Sequence, residues 1–552
     1  MICSDSPPFS VFLFRHRRNR RNRPSSKTIM LLQHFLENSA RRTPDKVALV
    51  CRGERLTYDE INRKANQVAF LLRSQGIKRG DRVALFLDNS MESIISLFGI
   101  LKADAVFLML SSQLKAPKLA YILENSGARA FISDTGKLKS VSDVIRAARG
   151  LEAVILAGDK SRIEPALHRN VIAWPEMEGA PELQAAIRSA NIDVDLASII
   201  YTSGSTGNPK GVMLTHLNMV SAATSITTYL ENVPEDIVIN VLPLSFDYGL
   251  YQALMAFKFG GTLVLEKSFV FPYEIIKRMA EENVTGFPGV PTIFAILLQM
   301  KDLKKYDLSS LRYITNTAAA LPVTHIQQIR ETFPQARLYS MYGLTECKRV
   351  SYLPPEELDR RPDSVGRGMP NEEVWIVDDR GARLGPGATG ELVVRGSNVM
   401  KGYWGDSETT DRVLKPGPLP GERVLYTGDL FRMDEEGYLY FVGRKDDMIK
   451  TRGERVSPKE VENALYAAEG VAEAAVLPVP DELLGSAIKA YIVRKDGAGL
   501  TDKQLLLHCK KMLEEFAIPK YFEFRDSLPK NASGKIDKLS LKAELQRPDR
   551  QN

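Results

Sequence analysis

From Met30 onward, short apolar runs rich in β-formers alternate with stretches whose apolar residues recur at helical spacing. Such alternation restricts a chain to sheets covered by helices, with the strands mostly parallel. "MLLQHFLENSARRTPDKVALV" reads as a helix leading into a first strand. "LTYDEINRKANQVAFLLRSQGI" reads as a helix stopped near Gly76. "RVALFLD", "ARAFISD" and "LEAVILA" are short buried-strand patterns, and "ESIISLFGILKADAVFLML" is a helix followed by a strand. From about Val374 the style changes. "EVWIVDDRGARLGPGATGELVVRG" and "GYLYFVGR" are strands broken by Gly/Pro turns, which predicts a small, mostly antiparallel β unit. Beyond Arg444, helix and strand alternate again in a compact α+β pattern.

The expected fold class is therefore α/β. A large domain over residues 30–445 holds helix-covered, mostly parallel sheets plus the small β unit. A small α+β domain follows over residues 446–552. A chain of 552 residues is long enough for more than one domain.

Residues 1–29 are different. They carry seven cations (Arg15, Arg17, Arg18, Arg20, Arg21, Arg23, Lys27) and one acid, Asp5. That accounts for the whole formal charge of +6, so the body from Met30 is balanced and offers no whole-molecule argument for nucleic acid or membrane. The apolar patch Phe9–Phe14 precedes the basic run, the reverse of a secretory signal. A transit peptide, a solvated tail and a start of translation at Met30 all fit, and the last two are favoured. Cys3, Cys51, Cys347 and Cys509 form no CxxC pair and no metal-ligand spacing, which reads as reduced thiols in a cytoplasmic protein. No apolar run approaches the ~20 residues of a bilayer span.

"YTSGSTGNPKG", Tyr201–Gly211, follows the strand-like "LASII" and precedes a segment that can be helical from near Thr215. Gly204 and Gly207 permit positive φ and close backbone approach. Successive N–H groups can form an anion nest, to which Thr202, Ser203, Ser205 and Thr206 add hydroxyls and Lys210 adds charge. That chemistry suits polyphosphate. The loop is not a Walker A loop, because Gly211 rather than Ser or Thr follows the lysine.

The stretch "YTSGSTGNPKGVMLTHLN" resembles the signature loop of the adenylate-forming enzymes, which include acyl-CoA synthetases, adenylation domains of nonribosomal peptide synthetases and firefly luciferase. "YGLTE" (Tyr342–Glu346), "YTGD" (Tyr426–Asp429), "GRKDDMIKTRGERVSPKEVE" (Gly443–Glu462) and "NASGKIDK" (Asn531–Lys538) follow in that family's order. The resemblance covers nearly all of the chain after residue 30.

It implies an AMP-forming acid–thiol ligase that uses ATP and Mg²⁺. A carboxylate attacks the α-phosphorus, pyrophosphate leaves, and a thiol then takes the acyl group and releases AMP. The Ser203–Lys210 loop, including Gly204 and Gly207, would hold the β- and γ-phosphates. Thr345 would touch the α-phosphate and Glu346 would hold Mg²⁺. Asp429 would accept the ribose hydroxyls, with Arg444 beside it. Asn316, Ala318 and Ala319, in the segment Asn316–Ala320, would line the adenine pocket, with Tyr342 stacking on the base and Gly343 in the same motif. Lys535 would reach the reacting oxygens from a small domain that closes and then moves away, with Asp446 at the hinge. Lys210, Thr345, Glu346 and Lys535 are thus the catalytic candidates.

"LPLSFDYGLYQ" addresses the acid. Many acyl-CoA synthetases have histidine in an "FH..G" pattern there, whereas amino-acid adenylation domains have "FD". Here Phe246 and Asp247 match the amino-acid pattern, and Gly249 matches the acyl one. Asp247 therefore needs either an amino substrate or internal hydrogen bonds. Nothing after Lys535 looks like the serine-bearing helix of a carrier protein, so the acceptor comes in trans. It is coenzyme A for a fatty or other organic acid, or the phosphopantetheine of a separate carrier for an amino acid of prolyl or alanyl type. A luciferase-type oxygenase shares the ATP motifs. A non-catalytic scaffold does not fit the presence of Lys210, Glu346, Asp429, Arg444 and Lys535 together.

Overall fold

A computed structural model of the chain describes residues 30–163, 167, 170–174, 189–202, 208–317, 321–451, 454–481, 485–531 and 534–545. The basic segment 1–29, the loop residues Ser203, Gly204, Ser205, Thr206 and Gly207, and Ala318–Ala320 lie outside the described residues.

Two large sheets carry the first domain. In one, six parallel strands run in the order Arg337–Tyr342, Tyr313–Asn316, Gly286–Gly289, Ile237–Asn240, Thr262–Leu265, Val47–Cys51. Antiparallel strands close both edges: Ser351–Leu353 and Arg367–Gly368 at one end, Glu54–Thr57 at the other. The second sheet is parallel through Leu196–Thr202, Val106–Met109, Arg82–Phe86, Ala128–Asp134, Ala153–Ala157 and Val171–Ala173. Lys210–Thr215 and Gly402–Tyr403 extend it antiparallel beside Leu196–Thr202. The predicted β unit is a five-stranded antiparallel sheet built on Glu372–Val377, Thr389–Gly396 and Arg423–Met433, with Leu414–Pro416 and Leu439–Arg444 pairing on the last of these.

Local chemistry sets the helix ends. Thr57 opens the helix Tyr58–Ser74 with a capping box: Glu60 N–H donates to its hydroxyl and Thr57 N–H donates to the Glu60 carboxylate. Gly76, at φ +83°, ends it as expected. The helix Met91–Lys102 is apolar on every side, with Ile94, Leu97, Phe98, Ile100 and Leu101 fully buried, each worth about 1.5–3 kcal/mol. The described Cys51, Cys347 and Cys509 are free and buried. No helix among the described residues is long and apolar enough to cross a membrane.

After Thr451 a three-stranded sheet, Val471–Asp481, Gly485–Arg494 and Tyr521–Arg525, packs its own apolar cluster around Val461, Leu465, Ile492 and Leu505. Lys459 donates to the Phe441 carbonyl, and Ser457 donates to the Val442 carbonyl, joining this unit to the strand Leu439–Arg444.

His216 opens the helix His216–Tyr229 from a fully buried position. Leu32 N–H donates to its Nδ1 at 3.2 Å, and Asn191 Nδ2 lies 3.4 Å from its Nε2. Burial pushes its pKa from 6.5 down to about 4. The unfolded chain therefore binds a proton that the folded chain refuses. Stability from this group is full above pH 6.5 and falls as pH drops toward 4. The expected loss is about 3 kcal/mol, read by urea unfolding from about pH 7 to about pH 4.5. His216→Gln should flatten that slope, and an equal slope in both proteins would remove His216 as its origin.

Candidate active site

All six parallel strands of the first sheet end on one side. Tyr342, Asn316, Gly289 and Asn240 are neighbouring C-terminal residues of those strands. Ligands of open α/β sheets gather at such carboxyl ends. The strand Arg337–Tyr342 leads into a sharp return. Lys348 N–H donates to the Leu344 carbonyl at 2.7 Å, and Val350 N–H donates to the Tyr342 carbonyl at 2.9 Å. Lys348 sits at φ +71°, in the left-handed region. A Cβ on Gly343 would lie 1.9 Å from the Lys348 carbonyl oxygen, so only glycine lets the chain double back so tightly. The return delivers Thr345 and Glu346 at the sheet's edge.

The glycine-rich loop belongs to the other sheet. Thr202 and Lys210 face each other across an antiparallel pair, so Leu196–Thr202 and Lys210–Thr215 bring the two ends of the loop together. The sequence reading placed a helix from near Thr215, and Thr215 does cap the helix His216–Tyr229. It did not anticipate the strand Lys210–Thr215. Lys210 Nζ rests 5.6 Å from the ring centroid of Tyr403, whose hydroxyl donates to Glu346 Oε1 at 2.7 Å. Tyr403 pairs with Val212 in the edge strand, so one aromatic ring joins the Lys210 strand to the Glu346 turn.

The antiparallel sheet supplies a third wall. Asp429, only 7% exposed, accepts a 2.6 Å hydrogen bond from the Tyr342 hydroxyl on Oδ2. Its Oδ1 lies 3.2 Å from Arg444 Nε, yet it is buried and accepts no hydrogen bond among the described residues. Burial raises the pKa of Asp429, and Arg444 and then Tyr342 oppose the shift. Burial and then the Asp429 charge hold the Tyr342 phenol well above its ordinary range. The Tyr342 ring packs edge-on to Phe431 at 4.8 Å and stacks with Phe441 at 6.2 Å. Next to Asn316, the hydroxyl of Thr317 is buried without a partner among the described residues.

The small domain closes the site. Lys535 sits on a turn in which its N–H donates to Asn531 Oδ1 and Asn531 N–H donates to its carbonyl. The Thr292 hydroxyl donates to the Gly534 carbonyl at 2.9 Å, pinning that turn to the helix Pro291–Leu298. Lys535 Nζ lies 5.8 Å from the Phe246 ring centroid. Burial lowers its pKa, and Asp247 is the strongest charge opposing that. Phe246 caps the helix Asp247–Phe259. A Cβ on Gly249 would lie 2.4 Å from the Pro243 carbonyl oxygen, so the first turn of that helix hugs the preceding loop. Asp446 is exposed in the turn between the strands Leu439–Arg444 and Ile449–Thr451.

Lys210, Thr345, Glu346, Tyr342, Asp429, Arg444, Phe246, Asp247 and Lys535 thus converge from three sheets and two domains. Tyr403, Thr292, Lys348 and Arg349 were not anticipated. Lys348 and Arg349, directly after "YGLTE", are 0% and 2% exposed. Two cations entering the strand Ser351–Leu353 were a usable signal. Tyr403, bracketed by Gly402 and Gly405, offered none beyond a turn.

A sequence model described as AMP-binding enzyme matches residues 36–404, and one described as AMP-binding enzyme C-terminal domain matches residues 460–535. A long-chain-fatty-acid–CoA ligase of Bacillus subtilis is 32% identical over 535 residues, 93% of this chain and 94% of that protein. Gramicidin S synthase 2 of Brevibacillus brevis is 30% identical over 94% of this chain but only 11% of its own length. The crystal structure of the anthranilate CoA ligase AuaEII with anthranoyl-AMP superposes with a TM-score of 0.86 at 27% identity, covering 94% of this chain and 98% of that one.

Gly343→Ala tests the return after Tyr342. The clash is with backbone, which cannot rotate away, so a loss of about 3 kcal/mol is expected by denaturant unfolding. A stability within error of the unmodified protein would show that the turn relaxes around a methyl group.

Proposed function

The chain belongs to the AMP-binding enzymes and is an AMP-forming acid–thiol ligase, and from that premise we propose that it activates an organic acid as its acyl-adenylate and passes the acyl group to coenzyme A. One observation carries the assignment of roles. Lys535 of the small domain reaches the pocket walled by Phe246 and by Asp429, whose buried Oδ1 accepts no hydrogen bond among the described residues. A ribose hydroxyl supplies the missing donor.

The residues present fit ATP and a divalent cation. Asp429 holds the ribose, with Tyr342 and Arg444 keeping its carboxylate in place. Asn316 and Thr317, with Ala318 and Ala319 after them, line the base. Lys210 and the Ser203–Gly207 loop hold the outer phosphates, and Thr345 holds the α-phosphate. Glu346 has one oxygen bonded to Tyr403, and its other oxygen accepts no hydrogen bond among the described residues. Those residues contain no group of three or more His, Cys, Asp or Glu side chains placed to hold a metal ion by themselves. This suits Mg²⁺, which binds through one or two carboxylates plus phosphates. When bound, the ion neutralises charge on the phosphate oxygens.

In the first step a carboxylate oxygen attacks the α-phosphorus and the bond to pyrophosphate breaks. Lys535 sits where the reacting oxygens gather negative charge. In the second step the thiol sulfur attacks the acyl carbon, a C–S bond forms and AMP leaves with the bonding electrons of its oxygen. Lys535 then occupies space the thiol needs, so the small domain swings about the turn at Asp446. The site lies in the cytoplasm, where both ATP and coenzyme A are available. The amino-acid reading has less support, because an ammonium beside Asp247 would meet Arg349, Lys348 and Lys535.

Pyrophosphate release across a panel of fatty, aryl, dicarboxylic and amino acids should depend on the acid, and coenzyme A should accelerate it. An amino acid that turns over without such acceleration would instead favour a carrier-protein acceptor. Lys535→Ala should cut adenylate formation about 10²–10³-fold while ATP still binds, since one fixed donor at a developing charge is worth that much. Full adenylation by that variant would remove Lys535 from the mechanism.

A further inference from the structure

The acid pocket contains a charge that the reaction does not use. Arg349 is 2% exposed, and its Nε is buried with no hydrogen-bond acceptor among the described residues. Its guanidinium lies 4.5 Å from the Tyr248 ring centroid, and its Nη1 is 3.9 Å from Asp247 Oδ2, too far for a hydrogen bond. Asp247, 7% exposed, accepts no hydrogen bond among the described residues either. The Arg349 backbone is held by Asn398, whose Nδ2 donates to its carbonyl at 3.2 Å, so the side chain is aimed from a fixed point. Lys348 is fully buried beside it, donating to the Thr345 carbonyl at 2.9 Å and lying 6.0 Å from the Tyr251 ring centroid. Burial lowers Lys348 to about 8, and Asp247 is the strongest charge opposing that shift.

Asp247 faces three cations, Arg349, Lys348 and Lys535, of which Lys348 also feels Glu346 and Lys535 also feels Asp429, whereas Arg349 is paired with Asp247 alone. The reacting carboxylate neutralises Lys535. Glu346 is tied to Tyr403 and, on the ligase reading, serves the metal. Arg349 is left with no partner within hydrogen-bond distance on its Nε among the described residues. A plain hydrocarbon chain there would leave a buried guanidinium without an acceptor, which is costly. A second anionic group on the substrate removes that cost. The guanidinium fork matches a carboxylate with two parallel hydrogen bonds.

Resting on the ligase reading, we propose that the substrate is a dicarboxylic acid whose non-reacting carboxylate is bound by Arg349, with Asp247 steadying the guanidinium. Arg349 is then the residue that selects the acid, while Lys535 serves the end that reacts.

The test is acid-dependent ATP–pyrophosphate exchange by the full chain. The acids are short dicarboxylic acids, their monoamides, monocarboxylic acids of equal chain length, fatty acids and amino acids. The dicarboxylic acid should have the highest kcat/KM in the unmodified protein. Arg349→Met should raise its KM by about thirtyfold or more, the usual effect of truncating one partner of a buried charge pair, with a smaller effect on kcat. Arg349→Lys should restore part of the loss. A fatty acid or amino acid as the best substrate of the unmodified protein would overturn the inference and leave the ligase reading intact. So would an unchanged KM in Arg349→Met. No exchange with any acid would overturn the ligase reading, and this inference with it. The ranking in the unmodified protein decides the matter even if Arg349→Met does not fold, which its thermal transition with ATP would reveal.

Discussion

The return of the chain after Tyr342 is the constraint on which the rest of the site depends. A backbone that doubles back within a few residues, over a glycine too close to the Lys348 carbonyl to carry a side chain, points residues in opposite directions from one short segment. Thr345 and Glu346 go toward the phosphate side. Lys348 and Arg349 are buried beside Asp247. Tyr342, at the root of the turn, reaches sideways to Asp429 in another sheet. The two chemistries of the reaction, nucleotide and acid, are thereby indexed to the same few backbone hydrogen bonds.

Contacts between sheets do the remaining alignment. Tyr403 bridges Lys210 and Glu346. The Tyr342–Asp429 hydrogen bond ties the parallel sheet to the antiparallel one. Both tyrosines are held far from ionising, Tyr403 first by burial and then by the Glu346 charge. Each therefore stays a donor and keeps its carboxylate fixed. The small domain adds its lysine by docking one turn against Thr292.

Much of this was legible in the sequence, for identifiable reasons. The alternation of apolar runs and helical spacing marked the helices and parallel strands, because buried strands and amphipathic helices have different periods. Gly76 stopped its helix and Thr215 capped the helix His216–Tyr229, because caps depend on local geometry alone. The strand Lys210–Thr215 escaped because an antiparallel partner is set by pairing with Leu196–Thr202, not by its own residues. Tyr403 and Thr292 escaped because neither carries a local signal, and their partners lie far away in sequence. Asp247 was left open between an amino substrate and internal hydrogen bonds. What lies beside it is Arg349, 3.9 Å away and without a hydrogen bond, a third arrangement that neither option described.

The sequence by itself determined which chemical groups the protein owns: a loop suited to phosphate, the carboxylates Glu346 and Asp429, and a lysine on a glycine turn near the C-terminus. Short-range physics suffices for that, because turns, caps and strand patterns are decided within a few residues. Only the tertiary structure decided which of these groups meet, and which charges are buried. Burial and long-range pairing create fields that no local pattern encodes. Lys348 and Arg349 are two ordinary cations in the sequence. Only when the sheet edge folds them in beside Asp247 do they become buried charges, with the Arg349 Nε lacking a hydrogen bond among the described residues.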